Sequence, residues 1–192
     1  MNKRQLQKKR TRSLILESAK QCFMENGFLN TPVSKISSHA KIAHGTLFAH
    51  FPTKEALILE VITIEMKKIG EEIQKFAQTS ESIEEILVHY LDFLIEEEQF
   101  FSVLAKERPF YSNELKRKLI FHESIIRGYF HQILEEENAQ NISHCEDITS
   151  SLNWLFGVIN YYFGLKESFV ASGSVISKFK DSILSTFKKI IL

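Results

Sequence analysis

The 192 residues carry 24 Lys+Arg against 24 Asp+Glu, with 44% hydrophobic and 25% charged residues. Such a balance excludes a disordered polyelectrolyte and suits a globular chain large enough to bury a core. Cys22 and Cys145 are too few for a disulfide framework and fit a reducing cytoplasm. The most apolar run, Leu152 to Leu165, is broken by Asn153 and Asn160 and is too short to span a bilayer, so no membrane partner is expected. The basic N-terminus lacks a following apolar segment, so no signal peptide is expected either. With only 3 Pro and 7 Gly, the fold class is all-α, of about nine helices.

The zero net charge hides an asymmetry. Residues 1–54 hold 10 Lys/Arg and 2 Asp/Glu, which leaves 14 and 22 for the remainder. A basic head on an acidic body predicts a polyanion-binding face at one end only.

Residues 1–10 form a basic arm, with Lys3, Arg4, Lys8, Lys9 and Arg10. It reads as a solvated terminus or as a phosphate-neutralising arm. A first helix spans Thr11 to Asn26, with Ile15, Ala19, Cys22 and Phe23 on one face. Gly27 takes the left-handed position after it, and Phe28 reaches back to Phe23, as in a Schellman end. Thr31 as N-cap and Pro32 at the first helical position start a short second helix with Val33, Ile36 and Ala40 inward. A tight turn leads to a third helix from Ala43, with Leu47 and Phe51 facing in and His44, Gly45, Thr46, Phe48 and His50 left outside. This is helix-turn-helix logic, in which the third helix enters the major groove of double-stranded DNA.

A long fourth helix then runs from Pro52-Thr53 to Phe76, about 35 Å at 1.5 Å per residue. Gln78 to Ser82 is a loop, and Ser82 with Glu85 forms a capping-box start for the fifth helix. Further helices are expected over Gln99–Lys106, Asn113–Glu137, Glu146–Ser172 and Val175–Ile190. The runs Glu96-Glu97-Glu98 and Glu135-Glu136-Glu137 read as solvated helix ends. The eighth helix is apolar nearly all round, which asks for a partner on the side its own chain leaves bare.

Thr11-Arg12, Ile15-Leu16, Ala19, Phe23, Asn26-Gly27-Phe28, Thr31, Val33, Ile36, Ala40, Gly45-Thr46-Leu47, His50-Phe51 and Lys54-Glu55 agree in order and spacing with one pattern. In these positions the chain resembles the N-terminal domain of the TetR family of bacterial transcriptional regulators. The resemblance implies a helix-turn-helix domain over 1–53 and a helical ligand-binding and dimerisation domain over 54–192. It implies DNA contacts from Thr31, Lys35, Lys41, Ala43, His44, Gly45, Thr46, Phe48, His50 and Lys54, with Thr31 and Lys54 on phosphates. Three positions depart from the family pattern. Lys41 replaces the turn Gly, Ala43 replaces a capping Ser, and Phe48 replaces a phosphate-binding Tyr.

The same resemblance implies an apolar pocket within helices four to eight, for which His89, Phe93, His122, Tyr129 and Trp154 are candidates. The aromatic content and acidic body suit a flat hydrophobic ligand, including a cationic one. It further implies a homodimer through the last two long helices, by way of Trp154, Tyr161, Tyr162, Phe179, Ile183 and Phe187. No metal cluster, phosphate loop or nucleophile motif is present, so neither a cofactor nor an enzyme is expected. The expected function is a dimeric, nucleoid-associated repressor of a pseudo-palindromic operator, released by a small hydrophobic effector. In the alternative, the same DNA-binding head carries a body that binds a protein partner.

Overall fold

A computed structural model describes residues 2–80 and 82–192. Met1 of the expected arm and Glu81 of the expected loop lie outside the described residues. The helices are α1 (Lys3–Asn26), α2 (Val33–His39), α3 (His44–His50), α4 (Lys54–Ala77), α5 (Ile83–Glu96), α6 (Glu98–Glu107), α7 (Asn113–Ala139), α8 (Ile148–Gly164), α9 (Lys166–Phe169) and α10 (Val175–Ile191). A 3-10 turn, Arg108–Phe110, links α6 to α7. The first three helices form the head. In the body α4 runs along α7, α6 along α8, and α10 across α5 and α8, while α1 rests on α4 and α6.

Four elements differ from the sequence expectation. The basic arm is helical from Lys3, because Asn2 accepts the Arg4 amide and donates its own to the Gln5 side chain. Once α1 exists, extending it costs little and needs no apolar residue. Pro32, not Thr31, precedes α2, and Thr31 is buried with its hydroxyl within reach of the Cys22 and Gly27 carbonyls. At the end of α1 Gly27 has the expected positive φ, 84°, and the Phe23 and Phe28 rings lie 5.1 Å apart. Its ψ is 157°, however, and the Phe28 amide goes to Glu107 instead of back to Phe23, so the Schellman end does not form.

The expected eighth helix stops at Gly164, and α9 supplies a tenth helix. The reason is Glu98, which is buried rather than solvated. Its carboxylate accepts the amides of Val175 (2.8 Å) and Ile176 (3.3 Å) and the Ser174 hydroxyl, and it pairs with Lys166 at 2.9 Å. Holding both Lys166 and the start of α10, it forces the chain to turn between them. Glu137 is likewise buried, accepting the Ile83 amide at 2.7 Å at the start of α5. Both acids satisfy orphan donors of another helix.

No helix among the described residues is long and apolar enough to cross a membrane.

Burial alone would push the Glu98 carboxyl up. The hydrogen bonds from Ser174, Lys166 and the two amides outweigh it and hold the carboxyl below its ordinary value. A depressed acid contributes stability that is complete above the unfolded pKa, about 4.3, and lost as pH falls through the native value. Glu98→Ala should therefore cost about 3 kcal/mol at pH 7, with the gap to wild type narrowing toward pH 3. Urea melts at the two pH values measure this.

Candidate nucleic-acid interface

The turn between α2 and α3 is built around Lys41 at φ 53°, with the Ile42 amide bonded to the Ser37 carbonyl at 3.0 Å. A side chain in this left-handed region costs about 1 kcal/mol that Gly would not. Ala43 gives α3 no side-chain cap. Leu47 and Phe51 are buried and fix the inner face of α3. His44, Gly45, Phe48 and Ala49 are exposed on the other side, with Lys41 and Ala43 leading into it. His44 and Phe48 meet edge to face at 5.0 Å. A Cβ added to Gly45 would meet nothing within 4 Å, so the α3 backbone is open to a partner there.

The remaining expected DNA residues are less free. Thr46 and His50 are half-buried. Burial, then the neighbouring Lys8 and Arg12 charges, push the His50 pKa down, which leaves it neutral at pH 7. Lys35 pairs with Glu25 at 3.1 Å. The buried Thr31 side chain cannot reach a phosphate. Lys54 donates to the Leu29 carbonyl, and burial pushes its pKa down against the pull of Glu107.

Arg12 belongs to the family pattern, where it was given no role, and the structure makes it a positioning residue. Its guanidinium donates to the His50 carbonyl at the end of α3 (3.2 Å), pairs with Glu60 of α4 (2.9 Å) and lies 4.3 Å over the Phe51 ring. One residue thus ties α1, α3 and α4 together. Lys8, one helical turn earlier, faces the same end of α3.

The head joins the body at the α1–α2 loop. Phe28 is fully buried against Phe23 of the head and, edge on, against Phe100 (5.6 Å) and Tyr111 (6.2 Å) of the body. The Glu107 carboxylate, at the end of α6, accepts the amides of Phe28 (2.9 Å) and Leu29 (3.1 Å). Gly27 is required by its φ, and a Cβ there would sit 2.2 Å from Glu107 Oε1 and displace that carboxylate. Lys20 of α1 adds bonds to Glu65 (3.0 Å) and Glu97 (2.7 Å).

Inside the body, a cavity of about 40 Å³ lies among Phe101, Leu104, Phe156 and Phe163, with Tyr90, Asn160 and the Arg108–Glu123 pair on its wall. None of the five expected pocket residues lines it. His89 stacks on Phe76 at 4.1 Å, and Trp154 lies parallel to Phe187 at 6.5 Å. His122 is buried, its pKa pushed down by burial and by Lys67 and Lys118. Phe93 and Tyr129 pack on the core's edge. Helical spacing selects the inward face but not the gap that packing leaves open.

Of the expected dimer residues, Tyr161 is 54% exposed. Trp154, Tyr162 and Phe179 are half-buried, the last two stacked at 4.3 Å. Ile183 and Phe187 are buried within the chain itself and are not available to a partner. The outward stripe of α8 is Asn153, Gly157 and Tyr161.

The family description "Bacterial regulatory proteins, tetR family" matches residues 15–61, the whole helix-turn-helix and the start of α4. That stretch is what the chain shares with the TetR family. It is similar to the HTH-type transcriptional regulator UidR of Escherichia coli (strain K12), 34% identical over 96 residues, 50% of this chain and 45% of that protein. The chain thus matches less than half the length of that relative. The fatty acid metabolism regulator protein of Bacillus subtilis (strain 168) is 24% identical over 155 residues, 76% of this chain and 78% of its own. The crystal structure of the transcriptional regulator FadR from Bacillus subtilis in complex with stearoyl-CoA shares the fold, with a TM-score of 0.79 at 20% identity. That superposition covers 94% of this chain and 99% of the other.

Within this TetR-family head, Lys41→Gly should stabilise by about 1 kcal/mol and Ala43→Ser by about 0.5–2 kcal/mol, both read as a higher urea midpoint. Gly45→Ala should raise helix stability by up to about 1 kcal/mol yet weaken DNA binding, since its methyl occupies the open approach. A variant that is stabler and binds DNA unchanged would remove Gly45 from the interface.

Proposed function

We propose that the protein is a DNA-binding transcriptional regulator that acts as a homodimer. Its head, residues 1–53, reads a pseudo-palindromic operator, and residues 54–192 dimerise and take an effector. The observation that carries this reading is the outward face of α3, on which His44, Gly45 and Phe48 stand clear of the protein. His44 donates to or accepts from a base edge, and Phe48 suits a thymine methyl. Lys41 and the exposed cations Lys3, Arg4, Lys8, Lys9 and Arg10 of the helical α1 extension supply phosphate contacts beside it. Two such heads spaced about 34–36 Å apart fit successive major grooves.

The stripe of α8 with Tyr161 and the half-buried Tyr162 and Phe179 supports a two-fold interface with α10. The cavity supports an apolar effector that releases the operator, making the protein a repressor. The polar end of the cavity wall is the Arg108–Glu123 pair, whose charges offset each other. A second reading, in which the body binds a protein, draws on the exposed Ile120, Phe121 and Ile125 of α7. A thermal shift from small apolar compounds, absent in Phe156→Trp, favours the effector.

The test is fluorescence anisotropy with DNA from upstream of the coding sequence against a random duplex, over a salt series. Binding should survive random competitor at two chains per site. His44→Ala should lower the specific-to-random ratio. Lys8→Gln should weaken both DNAs and flatten the salt slope by about one. Binding indifferent to sequence would contradict the reading.

A further inference from the structure

We infer that the turn from Glu107 to Tyr111 is a lever joining the cavity to the head, worked through the Arg108–Glu123 pair. Arg108 is held by Glu123 of α7 in a two-pronged bond, 2.6 and 3.0 Å, on the cavity wall. Its chain neighbour Glu107 holds the Phe28 and Leu29 amides of the head. At the other end of the turn Tyr111 packs against the same Phe28. The two residues that flank one short 3-10 turn therefore touch the head, and the turn's first residue, Arg108, touches the cavity.

The cavity holds only about three waters' volume. Any occupant larger than that displaces a wall, and close-packed surroundings pass the displacement on. The wall with a polar, breakable fastening is Arg108. Loss of the Glu123 charge removes the ion pair that holds Arg108. The joint also carries an unsatisfied group: the Tyr111 hydroxyl is buried without a hydrogen-bond partner among the described residues. A buried, unmet hydroxyl disfavours the present arrangement relative to one that satisfies it. Moving the turn withdraws Glu107 from the two amides, and the head loses its fixed orientation.

Amide hydrogen exchange on the free full-length protein tests the lever without DNA or effector. Glu107→Ala should speed exchange at Phe28 and Leu29 by about tenfold, the worth of one charge-assisted bond. Glu123→Gln, 15 residues from the turn along the chain, should speed the same two amides while Leu91 in the core of α5 stays unchanged. Glu107→Gln is the second variant should the Ala variant fail to fold. Unchanged exchange at Phe28 and Leu29 in Glu123→Gln would overturn the inference, as would equal acceleration at Leu91.

The step to function rests on the DNA-binding reading, and a double-mutant cycle on duplex affinity tests it. Glu123→Gln should weaken binding in the wild-type background and add nothing in Glu107→Ala. Equal, additive losses would overturn the coupling. A wild-type protein that ignores DNA sequence would sink the function while leaving the exchange result to decide the lever.

Discussion

Phe28 is the residue on which the arrangement of the molecule depends. It belongs to the head by sequence, following α1, yet its ring is buried among rings of the body. An aromatic side chain buries on the order of 150–250 Å², so withdrawing it costs several kcal/mol. The Glu107 carboxylate fixes the backbone on either side of that ring. Together they convert a small three-helix unit into an extension of the body. On the proposed function, a change in the body can then alter how α3 is presented.

Carboxylates withdrawn from solvent, fully at Glu98 and Glu137 and half at Glu107, recur as the means of joining elements. Glu98 gathers α9 and α10, Glu137 starts α5, and Glu107 receives the head. Each is a charged acceptor placed on amides that would otherwise be orphaned at a helix start or a loop. The acidic body is therefore not only a solvated surface that repels nucleic acid. Part of its charge is interior, paired and hydrogen-bonded, as burial requires.

The fold was legible where local chemistry decides it. Gly27 and Ser82 marked element ends, the apolar residues of α1 to α3 marked inner faces, and the family pattern reached through Glu55. The strained turn at Lys41 and the missing cap at Ala43 were also readable from single residues. What escaped depends on tertiary placement. A Glu in an acidic run looks the same whether it meets water or a helix start 77 residues away. Arg12 is one cation among several until the fold brings His50, Phe51 and Glu60 around it. The cavity was expected within α4 to α8, but its lining residues escaped for the same reason, because its wall comes from five helices and its polar end from a turn.

The central claim is that the head is fixed to the body, so that a dimer presents its two α3 helices at a set separation. Spin labels at Ala49→Cys, exposed on α3, report it by pulsed dipolar spectroscopy, because Cys22 and Cys145 are buried. The account predicts one narrow distance distribution centred near the groove repeat of about 35 Å, broadened in Glu107→Ala. A distribution already broad in the otherwise unaltered protein, or no coupling at all, would contradict it.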